Sequence, residues 1–342
     1  MPDGLRPLLH RISGAVNGGR IHNLTAEGAE KLFGLLLGGE GTDAQIAMFL
    51  ATMRVKGTTA EELVGASRAA RARIQFPELP PQCVVVATSR HGKRHSPPMA
   101  LASSAAAAAA GVPVLLQSAP SLIGGGVTPG EVWQSMVGPL LGDPNHTQEQ
   151  LHRFGLACWQ PTLADTGWQR LQRVEDETGI RGIPDVVTKL LIPDGCPVLA
   201  AALPGPVLGM AGDALESLGH RHGLVMQGVE GSVDPSVVET TRGLRLLDGV
   251  KAPVRLRPGD FALFEESEPT HRHEEPIEAA VIATQQALLA STGPEACAVT
   301  LGAGMLISLA EPQLDLASCL GKACDAVESG AAMRLLQTLR DA

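Results

Sequence analysis

The densest cluster of groups that could do chemistry is Arg90-His91-Gly92-Lys93-Arg94-His95. From Leu79 to Gly130 the chain carries neither Asp nor Glu, so the sequence predicts a positive field with no local compensation. The cluster precedes an Ala-rich helical run, whose N-terminal dipole would add to that field. Such a loop is suited to an anion, or to the phosphate backbone of a nucleic acid. A second basic stretch, Arg242, Arg245, Lys251, Arg255 and Arg257, is opposed only by Asp248 and is expected on an exposed edge. Other motifs carry less. His220-Arg221-His222 precedes a strand and could be read as a metal pair, but it has no distant partner. Thr270-His271-Arg272-His273-Glu274-Glu275 is a slightly better metal candidate without a distant partner. Ser118 to Gly126 is Gly-rich but lacks the Lys-Ser/Thr of a P-loop, and reads as a flexible loop near a cleft. Cys83 opens an apolar strand and reads as core. No Ser-His-Asp arrangement stands out.

The elements that must hold these residues can be read from periodicity and caps. Residues 1 to about 75 are helical. Thr25 is placed as an N-cap before Ala29, Leu32, Phe33, Leu36 and Leu37 at helical spacing. Thr42 or Asp43 caps the next helix, with Ile46, Phe49, Leu50 and Met53 on one face. Thr58-Thr59-Ala60-Glu61-Glu62 starts another, with acids suited to its dipole. Phe76-Pro77-Glu78-Leu79-Pro80-Pro81 breaks the pattern as a linker. Cys83–Ala87 (strand), 88–98 (polar loop), Met99–Ala110 (helix) and Val112–Gln117 (strand) compose a βαβ unit, which predicts a parallel sheet. Further strands are expected at Val198–Leu203 and Leu224–Gln227, and a two-strand edge element around Pro258-Gly259. Helices are expected at 277–289, 295–310 and 314–339.

Composition sets the class. The chain has 342 residues, 44% of them hydrophobic, with 3% aromatics and no Tyr, so its core must be mostly Ala, Leu, Val and Ile. The net charge of −9 excludes a globally basic nucleic-acid binder but leaves local patches open. Six cysteines with no CxxC spacing fit reduced thiols and argue against a zinc ribbon. No apolar run reaches the roughly 18–20 residues of a membrane helix. The N-terminal residues lack a signal-peptide pattern. A cytoplasmic protein without a membrane partner is expected.

Leu24-Thr25-Ala26-Glu27, Gly39-Glu40-Gly41-Thr42-Asp43-Ala44-Gln45-Ile46 and Arg54-Val55-Lys56-Gly57-Thr58-Thr59-Ala60-Glu61-Glu62-Leu63 together resemble the N-terminal helical domain of the anthranilate phosphoribosyltransferase (TrpD) family. The resemblance continues at Glu177-Thr178-Gly179-Ile180-Arg181, at Gly228 to Gly231 and at 325–332, and so covers essentially the whole chain. It implies an α/β fold of the nucleoside phosphorylase and class II phosphoribosyltransferase type. That fold has a small N-terminal helical domain and a larger α/β domain with a mostly parallel central sheet flanked by helices. Residues 1–78 would form the helical dimerisation domain, with a helical return near 165–180, and 79–342 the α/β domain. A homodimer through the helical domain is implied. So is a cleft that, in the enzymes, binds phosphoribosyl pyrophosphate and an aromatic acceptor.

The family's substrate motifs are altered here. Its Gly-Thr-Gly-Gly-Asp-Gly phosphate loop falls on Ala87-Thr88-Ser89-Arg90-His91-Gly92, and its Lys-His-Gly-Asn on Leu116-Gln117-Ser118-Ala119. The acceptor-binding Arg falls on Glu175, and Asn-Leu-Leu-Gly-Pro-Leu on Asp185 to Leu190. The magnesium-binding Asp-Glu pair falls on Val233-Asp234. The pattern resembles the divergent TrpD-like group typified by YbiB, which is associated with nucleic-acid binding and shares the position of Lys189. The lead expectation is a homodimer that binds DNA or RNA through Thr88, Arg90, His91, Gly92, Lys93, Arg94 and Lys189. The alternative is a glycosyl or phosphoribosyl transferase with an unidentified acceptor, in which Glu230 and Asp234 would hold Mg²⁺; no cofactor is expected otherwise. A third reading is a regulator that binds a small anion or nucleotide.

Overall fold

The computed structural model describes the chain except residues 1–3, 15–18, 123, 204, 206, 271–273 and 291. Four helices come first: α1 (Leu5–Ser13), α2 (Ala26–Leu37), α3 (Asp43–Lys56) and α4 (Ala60–Arg71). Thr25 caps α2 through Gly28 N, while Thr42–Gln45 and Thr59–Glu62 form capping boxes on α3 and α4. Glu62 has a second task. Fully buried, it accepts Lys56 Nζ at 2.6 Å and Leu24 N at 2.8 Å, tying three segments of the bundle. Helices α2 and α4 approach so closely that a Cβ on Gly65 would lie 2.0 Å from Ala26 O.

The α/β domain follows in chain order. It comprises β1 (Val84–Ala87), α5 (Ala100–Ala109), β2 (Val114–Gln117), α6 (Pro129–Met136), α7 (Pro144–Phe154), β3 (Leu156–Trp159), α8 (Thr166–Thr178), α9 (Ile183–Thr188), β4 (Val198–Ala201), α10 (Val207–Ser217) and β5 (His222–Gln227). Then come β6 (Thr241–Leu247), β7 (Val250–Leu256), α11 (Pro276–Leu289), α12 (Pro294–Ala310), α13 (Leu316–Glu328) and α14 (Ala331–Arg340). The seven strands run in the order β3-β2-β1-β4-β5-β6-β7. The first five are parallel; β6 and β7 are antiparallel. The expected mostly parallel sheet flanked by helices is therefore present.

The sheet separates two cores. On one face Val84, Val86, Leu116 and Met226 pack with α5 and the C-terminal helices. On the other, Val85, Leu115, Val225 and Leu246 join α2, α3, α4 and α8. The small Ala side chains of α5 let it lie close to both the sheet and α12. Helix α8 rests on α2 and α3, where Arg170 and Arg173 both reach Asp43, at 2.9 and 2.8 Å. The return of the chain to the helical layer near 165–180 is thus held by charge as well as by Trp168 against Phe33.

Three expectations about local structure change. The edge hairpin turns at Asp248-Gly249, both with positive φ (50° and 82°), and Pro258–Phe261 is a 3-10 turn beyond it. The run 314–339 is two helices, broken at Gly330 with φ 70°. The Pro-rich linker is pinned: Phe76 stacks edge-on to Trp159, beneath the Arg71 guanidinium.

Candidate functional site

The carboxyl ends of β1, β2, β4 and β5 open toward the helical layer, the usual ligand position in parallel α/β sheets. The loop after β1 is fixed there at each residue. Thr88 N and Oγ1 donate to Gln117 O, and Oγ1 also meets Ser118 Oγ at 2.9 Å. Ser89 Oγ donates to Asp185 Oδ2 and Arg90 N to Asp185 Oδ1, at 2.8 and 2.9 Å, which fastens the loop to α9. Gly92 has φ 64°, and a Cβ there would stand 2.1 Å from Gly126 O. That contact is why glycine alone fits, since the neighbour is backbone and cannot yield.

The glycine-rich segment is not a free flap. Lys93 and Val127 exchange two backbone hydrogen bonds of 2.8 Å, Gly126 N donates to His91 O, and Leu122 N to Arg90 O. The expectation of a flexible loop is corrected for the described residues; Ile123 lies outside them.

The charges of the loop are not uncompensated, and here the sequence expectation is overturned. Arg90 is buried and pairs with Glu175 at 3.4 Å. Lys93, 3% exposed, pairs with buried Asp234 at 2.9 Å. Asp234 Oδ2 also accepts Met99 N at 3.1 Å. Neither cation is available on a surface. Glu230 takes the remaining donors: it accepts the amides of Arg94, His95 and Ser96 at 2.7 to 3.2 Å, and Ser96 Oγ at 2.7 Å. It does so from a strained backbone, φ 56°. Burial pushes its carboxyl up, but the hydrogen bonds from Ser96, Arg94 and His95 outweigh that and hold it below the ordinary range.

Together Thr88, Lys93, Glu230 and Asp234 line a small pocket at the carboxyl end of β1. The two carboxylates do not suit a divalent cation as they stand. One already faces an ammonium, the other a fan of amides, and among the described residues no three His, Cys, Asp or Glu are grouped to hold a metal.

Glu175 sits where the resemblance places an acceptor-binding Arg. Burial pushes its carboxyl up to about 8; Arg90 opposes this, and Asp185 and Asp176 add to it. Its Oε1 is buried with no hydrogen-bond partner among the described residues. Gln117 Nε2 donates to Thr188 O, so that side chain bridges β2 to α9. Lys189 is half-buried, and its Nζ donates to Ala201 O at 3.2 Å. Burial lowers its pKa, with Asp185 pulling the other way. It is directed at the end of β4 as a structural donor.

What remains cationic lies at the mouth. Arg94 is exposed, and its Nη2 donates to Gly124 O. Arg181 Nη2 reaches the same carbonyl at 3.4 Å, while its Nη1 meets the His91 ring. Two guanidinium groups therefore converge on one carbonyl, and among the described residues neither has a carboxylate partner. Sequence reasoning placed Arg94 and His91 here but missed Arg181, whose signal was its place in the Glu177–Arg181 motif.

Of the metal candidates, His220 is buried with both ring nitrogens unpartnered, and His222 faces Asp248 at 3.3 Å. Of the 270–275 motif, residues 271–273 lie outside the described residues. No single described helix is long and apolar enough to cross a membrane.

Comparison with known proteins agrees with this architecture. Residues 12–74 match the helical bundle domain of the glycosyl transferase family. Across 324 residues the chain is 27% identical to an anthranilate phosphoribosyltransferase of Symbiobacterium thermophilum, covering 93% of this chain and 94% of that one. The structure superposes on the Thermus thermophilus anthranilate phosphoribosyltransferase (TrpD) with a TM-score of 0.80, at 20% identity over 98% of each chain. A Saccharomyces cerevisiae anthranilate phosphoribosyltransferase in complex with PRPP and Mg gives 0.79, at 15% identity over 100% of this chain and 99% of that one.

Proposed function

Proceeding from a TrpD-like fold that carries the helical domain of the glycosyl transferase family, we propose that this protein binds the phosphate backbone of a nucleic acid at the mouth of its interdomain cleft. One observation carries the reading: Arg94 and Arg181 converge on Gly124 O without a carboxylate partner among the described residues, while Arg90 and Lys93 below them are buried against Glu175 and Asp234. The mouth keeps exposed positive charge, whereas the cations of the floor are buried. Backbone recognition needs such cations; with no Tyr and 3% aromatics, base stacking would contribute little, so the affinity would have to come from phosphate contacts. The altered motifs support a divergence from anthranilate chemistry of the kind seen in the YbiB-type group.

The test is fluorescence anisotropy of a labelled 15-nucleotide single strand at low and moderate salt. Affinity should fall steeply with salt. Arg94→Ala/Arg181→Ala should weaken binding at least tenfold without loss of folding. Equal affinity in that variant would remove the assignment.

A second reading, a pentosyl transferase with another acceptor, is favoured by the named relatives and by the cavity beside Thr88. It requires the Lys93–Asp234 pair to open before Asp234 could serve a magnesium diphosphate. Thermal stabilisation by phosphoribosyl pyrophosphate with Mg²⁺ would support it. Self-association through the helical layer is also part of the proposal: Met48 and Val55, seven residues apart on α3, are exposed at 36% and 82%. Val55→Glu should then shift the mass in light scattering from dimer to monomer.

A further inference from the structure

The second basic stretch resolves, residue by residue, into two groups. Lys251 is held by Asp213 and by Glu216, the latter at 2.6 Å. Arg245 lines an apolar cavity with Leu224, Val254 and Met305 on the other face of the sheet. Arg242, Arg255 and Arg257 are different. All three are exposed, and among the described residues none of their side chains has a hydrogen-bond or ion-pair partner.

Their placement follows from register. Arg242 pairs directly with Arg255 across β6 and β7, and with Gln227 across β5 and β6. Residues opposite one another share a face. Leu244 and Leu246, two and four residues along, have Val225 opposite Leu244 and lie on the helical-layer side. Arg242 and Arg255 therefore stand on that side too. Arg257 is extended, at φ −108° and ψ 115°, which continues the alternation and returns it to the face of Arg255. Gln227, beside Arg242, donates to Leu203 O and Gly205 O of the loop after β4, at 2.9 and 2.8 Å. The arginines thus occupy the carboxyl edge of the sheet, level with the cleft mouth. Three strand spacings separate β6 from β1, about 14 Å.

Two arginines directly opposite on a sheet repel. The chain has 36 acids for 27 bases and has found acids for Arg170, Arg173, Lys251 and Lys322. Exposed Glu239 and Asp260 lie close in sequence, yet neither is bridged to these three. Planar guanidinium forks set side by side fit one ligand chemistry best, a phosphate group taken by parallel N–H donors.

We infer that Arg242 and Arg255, flanked by Arg257, form a phosphate-binding site at the sheet edge, separate from the cavity beneath Lys93. A free phosphate compound and a phosphodiester backbone offer the same chemistry. The backbone case rests on the proposed nucleic-acid reading; the free-phosphate case does not.

The experiment compares wild type, Arg242→Ala/Arg255→Ala and Arg94→Ala/Arg181→Ala with two probes. Inorganic pyrophosphate is followed by calorimetry and a labelled 15-nucleotide single strand by anisotropy. The edge variant should lose at least tenfold in affinity for one probe or both, with its melting temperature unchanged or raised. A loss confined to the oligonucleotide, with the salt slope reduced by about 1.4, identifies a backbone. A loss for pyrophosphate identifies a free phosphate ligand. If the edge variant binds both probes as wild type does, or wild type binds neither, the site is overturned. Oligonucleotide binding lost only in the mouth variant, with pyrophosphate binding unchanged in the edge variant, would leave the proposed function standing and remove the edge site. Pyrophosphate binding lost only in the edge variant, with no oligonucleotide binding by wild type, would do the reverse.

Discussion

The loop after β1 and the β6–β7 hairpin are both dense in basic residues, yet the fold treats them oppositely. In the loop, Arg90 and Lys93 are turned inward and matched with Glu175 and Asp234. On the hairpin, Arg242 and Arg255 face one another in solvent, with no acidic partner among the described residues. The difference shows that a basic run in sequence is not a basic surface. The loop lies beneath the helical layer, where an unpaired charge would cost several kcal/mol, so the tertiary structure supplies carboxylates. The hairpin lies at the open edge, where hydration makes an unpaired guanidinium inexpensive. Ligand-binding charge in this molecule is therefore sought where burial does not compel pairing.

The largest effect expected from this contrast is at Lys93. Lys93→Met leaves the Asp234 carboxylate buried without its counter-charge, and should cost about 3–5 kcal/mol in urea denaturation. Adding Asp234→Asn should recover much of it, because the stranded charge is then removed as well. A loss below about 1 kcal/mol in the single variant would show that the pair is solvated, and the contrast between loop and hairpin would fail.

The second effect is a pH dependence at Glu175. Its carboxyl stands at about 8 in the folded chain, against an ordinary 4.5. The folded state therefore holds a proton that the unfolded state releases first. Stability falls as pH rises from 4.5 toward 8 and levels off above it, at roughly 1.4 kcal/mol per unit where the slope is full. Asp185 and Asp176 add to the shift, and Arg90 reduces it. Glu175→Gln should flatten this part of the stability curve. A wild-type curve already flat between pH 5 and 8 would mean that Arg90 keeps the carboxylate ionised throughout.

These contacts also show what could be read in the sequence. Strands β1 and β2 were legible because Val84-Val85-Val86 and Leu115-Leu116 are continuous apolar runs around a helix, and Thr25, Thr42 and Thr59 announced their helices. Strand β3 was not, since Leu156-Ala157-Cys158-Trp159 is too short to show a period. The hairpin was displaced because Pro258-Gly259 is a louder turn signal than Asp248-Gly249. At the site, residues of the loop after β1 line the pocket, as their position after the first strand suggests, but their charge pairing was not legible. Arg90 and Glu175 are 85 residues apart and Lys93 and Asp234 are 141 apart, so no local window contains both members of either pair.

The smallest effect tests the other side of the comparison. If Arg242 and Arg255 repel across the hairpin, removing either should stabilise the protein by a few tenths of a kcal/mol at low salt. The gain should fade as salt screens the pair, because the Debye length drops to about 8 Å at physiological ionic strength. Arg255→Glu should gain more than Arg255→Ala, since it adds attraction to Arg242. Both gains should vanish in an Arg242→Ala background, where there is nothing left to repel. Melting curves of wild type, Arg242→Ala, Arg255→Ala and the double variant at two salt concentrations form a double-mutant cycle, and its coupling term isolates the pair from any change in strand propensity. A coupling of zero would mean that the two side chains diverge into solvent and do not present a joint fork. A repulsive coupling that disappears on adding pyrophosphate would tie the unpaired arginines to an anion directly.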